Sequence, residues 1–313
     1  MTLVRVPPSA KLRIASCHID FGLNGLGADS ASMIPKIDRT DKVLRATRLR
    51  PHLVVFPEGA LCDELLSIAR RWAEELGATT VCGTSQMGRL VGGIVVRPNG
   101  PEEKFFKRHL SPYDHNGAAD PLLEAMTAGI DLVLPCEAID GQTVPANVRV
   151  LICYDFRYYH PEDHVFNTTQ VLVVPMHDKK PAEPETIASG HAKRHYLRTL
   201  LVNKAVSDGA ALPSSAFGPL PAPFAGELSR TGALGVDQSA SRIWRTDIEG
   251  ITIGEYEVGQ SVALGHDTSY GAGFFYHVEH HPFGATTSEV VPMEKAGFCA
   301  RLLQRLFRRS PSS

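Results

Sequence analysis

A mixed α/β fold, with sheets carrying helices on their outer faces, follows from three features of the sequence. Short apolar runs of the kind buried on both faces recur at Leu53–Phe56, Val148–Cys153 and Val171–Val174. Amphipathic helical patterns stand between such runs, over Ile34–Arg48 and through Leu65, Ile68, Ala69, Trp72 and Leu76. The turn residues Pro98-Asn99-Gly100 join two further strand-like segments into a hairpin. Strand, helix, strand and hairpin in that order describe a mixed sheet with helices packed outside it.

Taken along the chain, Lys11–Asp20 alternates like a first strand, and Gly22–Ser32 is a loop rich in Gly, Asn and Ser. Ile34, Ile37, Val43 and Leu44 give the first helix an apolar side, frayed at its start. The strand Leu53–Phe56 is stopped by Pro57, and Glu58 and Gly59 follow at its carboxyl end. Asp63 caps a second helix that stops at Gly77. Thr79–Thr84 and Gly93–Arg97 are strands, and Glu103–Arg108 returns as the hairpin partner. Ser111–Asp120 is loop, and Leu122–Met126 a helical turn. Asp131–Pro135 and Gln142–Val144 form strands across an Asp140-Gly141 turn, and the strand ending on Cys153 comes next. Pro161–Val165 starts a helix, and Val171–Val174 is an all-apolar strand ending at Pro175. Ser189–Val206 has a long helical pattern with Leu197, Leu200, Leu201 and Val206 on one side. Gly209–Gly235 follows no assignable pattern, and Ser241–Thr246 and Ile251–Val258 read as late strands.

The 313 residues divide into a main domain, 1–262, and a C-terminal extension, 263–313. His266, His277, His280 and His281 lie in Gly265–Pro282, but no Cys or Asp stands at ligand spacing, so a polar surface loop is expected rather than a metal site. Glu294–Arg309 is a basic amphipathic pattern. Phe298, Leu302, Leu306 and Phe307 share one face, while Arg301, Arg305, Arg308 and Arg309 fall mostly elsewhere. It is a solvated C-terminal helix packed on its own domain, or a contact for a partner or an anionic surface.

At 43% hydrophobic and 21% charged, the composition is that of a soluble globular protein. A net charge of −2 gives no global pull toward nucleic acid or membrane. No apolar run has the length of a membrane span, and Met1–Pro8 lacks the apolar stretch of a signal peptide. The six cysteines form no C-x-x-C pair and suit reduced thiols in a cytoplasm.

Three polar groups sit at the ends of strand-like segments: Glu58, Lys107 and Cys153. Each alone has a plain explanation, as a surface turn, a solvated lysine and a core thiol. Together they form a set. Phe56-Pro57-Glu58, Phe106-Lys107-Arg108-His109-Leu110 and Cys153-Tyr154-Asp155-Phe156-Arg157 resemble, in order, the three signatures of the nitrilase, or carbon–nitrogen hydrolase, superfamily. The resemblance spans roughly residues 11–258 and includes Asn203, expected at the end of the long helix.

It implies a four-layer α-β-β-α sandwich of the nitrilase type, a homodimer, and a cofactor-free, metal-free hydrolase with a thiol nucleophile. Cys153 would be the nucleophile, Glu58 the general base and acid, and Lys107 the stabiliser of the oxyanion together with the Tyr154 N–H. Glu124 is the candidate for the family's further glutamate, orienting Lys107 or assisting proton transfer. His177 and Met176 would line the substrate pocket, and Asp155 and Arg157 would pair within the turn or across the dimer. Tyr-Asp-x-Arg after the cysteine is similar to the amidase and carbamoylase branches, which points to a small linear amide or carbamoyl substrate. The alternatives are a nitrilase acting on a nitrile and a non-catalytic binding module that keeps the fold.

Overall fold

The computed structural model describes residues 10–24, 27–88, 90–111, 114, 127–137, 141–160, 169–195, 197–218, 241–258 and 275–283. The chain opens with strand β1 (Ala10–His18), whose residues alternate between two cores. A small ribbon, β2 (Leu23–Asn24) with β3 (Gly27–Ala28), precedes helix α1 (Ser30–Ala46). Asp29 caps α1 by accepting from the Ser32 N–H, so the helix begins earlier than its apolar pattern and is not frayed. Strand β4 (Leu53–Val55) leads through the Glu58 turn to α2 (Asp63–Leu76). Asp63 is the first residue of α2 rather than its cap. Cys62 holds the cap position with no side-chain hydrogen bond, and Asp63 instead puts negative charge in the first turn. Gly77 closes α2 in the left-handed conformation, as expected.

Strands β5 (Thr79–Met87), β6 (Leu90–Val96) and β7 (Glu103–Phe106) form an antiparallel meander. The Pro98–Gly100 turn between β6 and β7 is exposed at its tip, with Asn99 at φ 55°. β8 (Ile130–Glu137) pairs with β9 (Thr143–Val150), a longer strand than two separate segments at Gln142 and Val148 would give. Cys153–Tyr158 is a 3-10 turn, followed by β10 (Val171–Met176) and helix α3 (Ala182–His195). Then come β11 (Arg198–Asn203), the ribbon β12 (Val206–Ser207) with β13 (Ala210–Ala211), β14 (Ser214–Phe217), β15 (Arg242–Thr246), β16 (Gly250–Val258) and β17 (Phe275–Pro282).

Two large sheets result, ordered β17-β16-β1-β4-β5-β6-β7 and β15-β14-β11-β10-β9-β8. Each has a parallel trio at its centre, β1-β4-β5 and β9-β10-β11, with antiparallel partners outside it. Leu12, Ile14, Leu53 and Val55 of one sheet share a core with Val148, Val150, Val171, Val173 and Leu200 of the other. On its outer face the first sheet buries Val54 and Phe56 under Met33, Ile37, Leu65 and Trp72 of α1 and α2. The second buries Leu172, Val174 and Leu201 under Ala188 and Ala192 of α3. The layers are therefore helix, sheet, sheet, helix: an α-β-β-α sandwich.

Two sequence expectations fail on burial. Ser189–Val206 is not one helix: α3 ends at His195 and β11 begins at Arg198. Leu200 and Val202 enter the inter-sheet core, while Leu197 and Leu201 enter the outer one, so the apolar residues serve two faces of a strand, not one side of a helix. Within Gly265–Pro282, residues Phe275–Pro282 are a strand, not a surface loop; β17 pairs along β16 and buries Val278. The C-terminal basic pattern Glu294–Arg309 and the turn Leu122–Met126 lie outside the described residues. Among the described residues, no helix is long and apolar enough to cross a membrane.

Candidate active site

Glu58, Lys107 and Cys153 leave three different strands at one end of the sandwich. Glu58 sits in the turn after β4. A bulge in β5 at Cys82-Gly83 receives that turn: the Gly59 N–H donates to Thr84 Oγ1 at 2.9 Å and the Leu61 N–H to the Thr84 carbonyl at 3.2 Å. Gly83 has φ +71°, and a Cβ there would lie 2.2 Å from the Pro57 carbonyl oxygen, so only glycine lets the turn pack so closely. Lys107 follows β7, its N–H donating to the Val91 carbonyl at 2.9 Å. Cys153 follows β9 and opens the 3-10 turn with φ 40°. That left-handed conformation costs a non-glycine residue about 1–2 kcal/mol and is held from both sides. The Leu151 N–H donates to Val173 O at 3.0 Å, and the Asp155 N–H to Ile152 O at 2.9 Å.

The side chains converge. Lys107 Nζ donates to Glu58 Oε1 at 2.7 Å and to Asp114 Oδ2 at 2.7 Å. The lysine is 1% exposed and Glu58 8%. Burial by itself works against the ammonium, yet the Glu58 and Asp114 carboxylates outweigh it and raise the Lys107 pKa, so the cation is locked in. Glu58 Oε2 accepts the His177 N–H at 3.2 Å. The Glu58 carboxyl, Lys107 and the His177 N–H all act on the Cys153 thiol. Burial and the neighbouring Glu58 push that thiol up, against the downward pull of Lys107, so the resting sulfur is protonated with a carboxylate beside it.

Asp114 is a member of this cluster that no sequence motif marks. Its Oδ2 also accepts from the Ser111 N–H at 2.7 Å and the Ser111 hydroxyl at 2.6 Å. Burial alone would raise its pKa, but the lysine and the serine hold the carboxyl below its ordinary value. The signal available in sequence is Ser111-Pro112-Tyr113-Asp114, a serine followed three residues later by a carboxylate, as in a local capping motif.

Asp155 and Arg157 pair outside their own turn. The Asp155 carboxylate accepts from the His109 N–H at 2.6 Å and the Arg108 N–H at 3.1 Å, and its Oδ1 lies 3.0 Å from His109 Nδ1. It thereby ties the Cys153 turn to the residues just after Lys107. Arg157 reaches the other way, to Glu183 at 2.5 Å and Asp178 at 3.4 Å, beside His177. Tyr154 lies under the Arg157 guanidinium at 4.9 Å and meets Tyr158 edge-on, while Tyr158 stacks on His109 at 4.1 Å. His177 Nε2 lies 3.1 Å from Ser207 Oγ. Asn203 is here too, at the end of strand β11 rather than of a helix. Glu124 lies outside the described residues, and among those described no group of three or more His, Cys, Asp or Glu is arranged to hold a metal ion.

No family model matches the chain, and neither does any curated protein. Solved structures do. A CN-hydrolase superfamily protein from Xanthomonas campestris, with an arsenic adduct in its active site, superposes with a TM-score of 0.50 and 13% identity. The overlap covers 81% of this chain and 91% of that one. Two structures of an N-terminal amidase give TM-scores of 0.38 and 0.37 at 15% and 16% identity, over 60% of this chain and 54% and 56% of theirs. At 13% identity the likeness to the Xanthomonas protein is one of fold: an α/β sandwich with two large sheets between helices.

Proposed function

We propose that the chain is a carbon–nitrogen hydrolase of the nitrilase superfamily, cleaving a non-peptide C–N bond of a small linear amide or carbamoyl compound through a thioester on Cys153. The observation that carries this reading is the Glu58 carboxylate, bound to the Lys107 ammonium at 2.7 Å and close enough to the Cys153 thiol to raise its pKa.

The thiol is neutral at rest, so the attacking sulfur must lose its proton as the C–S bond forms, and Glu58 takes it. The carbonyl oxygen becomes an oxyanion. An ammonium has three N–H bonds; Glu58 and Asp114 hold two of Lys107's, and the third serves the oxyanion with the Tyr154 N–H. Glu58 returns the proton to the nitrogen as the C–N bond breaks, releasing ammonia or an amine. Water then attacks the thioester, Glu58 takes its proton, and collapse of the second tetrahedral intermediate breaks the C–S bond. The proton passes back to sulfur, leaving a carboxylic or carbamic acid. In this scheme Asp114 orients Lys107. His177 borders the thiol and is placed to contact substrate. No cofactor enters the scheme; a dimer is what the resemblance implies, and a partner contact through Glu294–Arg309 is what its basic amphipathic pattern offers.

The test is an ammonia-release screen over amides, ureides and nitriles, with Cys153→Ala as the blank. Release from an amide or ureide that vanishes in the variant supports the reading. Release from nitriles alone, with acid formed, would make it a nitrilase instead. No Cys153-dependent turnover, with the thiol inert to iodoacetamide, would leave a binding module.

A further inference from the structure

The segments leaving β1, β10, β11 and β4 at the reactive end are hydrogen-bonded to one another, and an imidazole from the first sheet closes the set. His18 ends β1, is fully buried, and shares its strand face with Leu12 and Ile14, toward the other sheet. Its Nδ1 lies 2.8 Å from Ser214 Oγ and 3.1 Å from the Asn203 carbonyl oxygen. A carbonyl only accepts, so Nδ1 carries the ring proton in this arrangement. Ser214 Oγ in turn accepts the Asn203 N–H at 2.9 Å and donates to the Asn203 carbonyl at 3.3 Å. Both backbone polar groups of Asn203 are thus engaged by His18 and Ser214.

Asn203 passes this fixity on. Its Oδ1 accepts the Asp178 N–H at 3.0 Å, and its Nδ2 donates to the Asp178 carbonyl at 3.0 Å. The Lys204 N–H donates to Met176 O at 3.1 Å, and the Ala205 N–H to Ile19 O at 2.9 Å. Residues 176 and 178 are therefore both held, and between them the His177 N–H reaches Glu58 Oε2. Burial lowers the His18 pKa and favours the neutral ring, against the upward pull of Glu249 and Asp247, and the ring also acts on His280.

We propose that His18 is a positioning residue for Glu58: by fixing the Asn203 peptide it fixes the backbone N–H that aims the carboxylate at the Cys153 thiol. This rests on the reading of Glu58 as the base. Nothing in the proposed chemistry touches His18, and an aliphatic side chain would fill an inter-sheet position equally well; the donor at Nδ1 is what the position requires.

The experiment reads Cys153 itself and needs no substrate. The rate of Cys153 alkylation by iodoacetamide is followed by peptide mass spectrometry from about pH 6 to about pH 9, for wild type, Glu58→Gln, His18→Leu, His18→Asn and Ser214→Ala, with circular dichroism as the folding control. Asparagine keeps an N–H close to the Nδ1 position; leucine has none. His18→Leu should change the rate by about fivefold or more at neutral pH, the size of one net hydrogen bond, in the same direction as Glu58→Gln, and bend the pH profile toward that variant's. His18→Asn should restore both to within about twofold. A folded His18→Leu with the wild-type profile overturns the proposal, as does an altered His18→Leu that asparagine fails to rescue, since packing would then explain it. If His18→Leu does not fold, Ser214→Ala decides on the same criterion. If Glu58→Gln itself leaves the profile unchanged, the reading of Glu58 as base falls first.

Discussion

Lys107 is a cation held between two carboxylates in a nearly dry place, and that sets what its neighbours do when changed. Removing it leaves Glu58 and Asp114 buried and facing each other, so Lys107→Ala should cost about 3–5 kcal/mol of stability, read by urea unfolding. Asp114→Asn keeps the shape but removes one charge-assisted hydrogen bond of about 1.5–3 kcal/mol. Ammonia release should fall roughly tenfold or more while the fold persists; unchanged turnover would remove Asp114 from the machinery. Glu58→Gln removes the proposed proton acceptor and should lower turnover by about 10²–10⁴-fold. Glu58, Lys107 and Cys153 are legible in the sequence because each follows a strand-like segment and stands in a motif that resembles a nitrilase signature; alone, each has a plain explanation. Asp114 is hidden because it sits in a loop, where its only local signature, a serine three residues earlier, is common in ordinary turns.

At the scale of elements, the β5 bulge governs the Glu58 turn. Gly83→Ala would drive a methyl into the Pro57 carbonyl and force φ +71° on a residue with a Cβ. It should cost more than about 2 kcal/mol and also shift the rate of Cys153 alkylation in the direction of Glu58→Gln by displacing Glu58, effects that a thermal melt and the mass-spectrometric rate would report together. Helices α1 and α2 are readable because each buries one stripe, Met33, Ile37 and Leu44 in the first and Leu65, Ile68 and Trp72 in the second, although Ile34, expected on the apolar side of α1, is exposed and Met33 takes its place. The α3–β11 region is not. Its helix buries only Pro184, Ala188 and Ala192, small residues that leave a weak stripe, while the adjoining strand is apolar on both faces. A helix end and a doubly buried strand, side by side, together mimic a period of 3.6. β17 is obscured for a related reason: its histidines look polar in sequence, but its partner is β16, and an edge strand needs few apolar residues.

For the molecule as a whole, buried imidazoles set the response to acid. Burial lowers the pKa of His18 and His177, and brings those of His52, His191 and His280 to about 4. In the unfolded chain such rings take up protons as pH falls through about 6.5. The folded protein resists until lower pH. Between those limits the unfolded state binds more protons, so stability must decline as pH falls. The urea midpoint should drop steadily from about pH 7 to about pH 4.5; a midpoint flat over that range would contradict the burial of these rings. The layering itself is only partly visible from residues alone. Local runs announce strands, but β1 lies between β16 and β4, partners from distant parts of the chain, and no periodicity encodes that order.

Strand direction gives the sandwich two unlike ends. Thr80, at the start of β5, pairs with Val96, at the end of β6, so the exposed turn at Asn99 and Gly100 lies at the end remote from Glu58, whereas β7 runs back to deliver Lys107. That tip is therefore a natural attachment point. A short epitope or an immobilising tether spliced there would hang from the back of the protein, leaving the working face open to bulk solution.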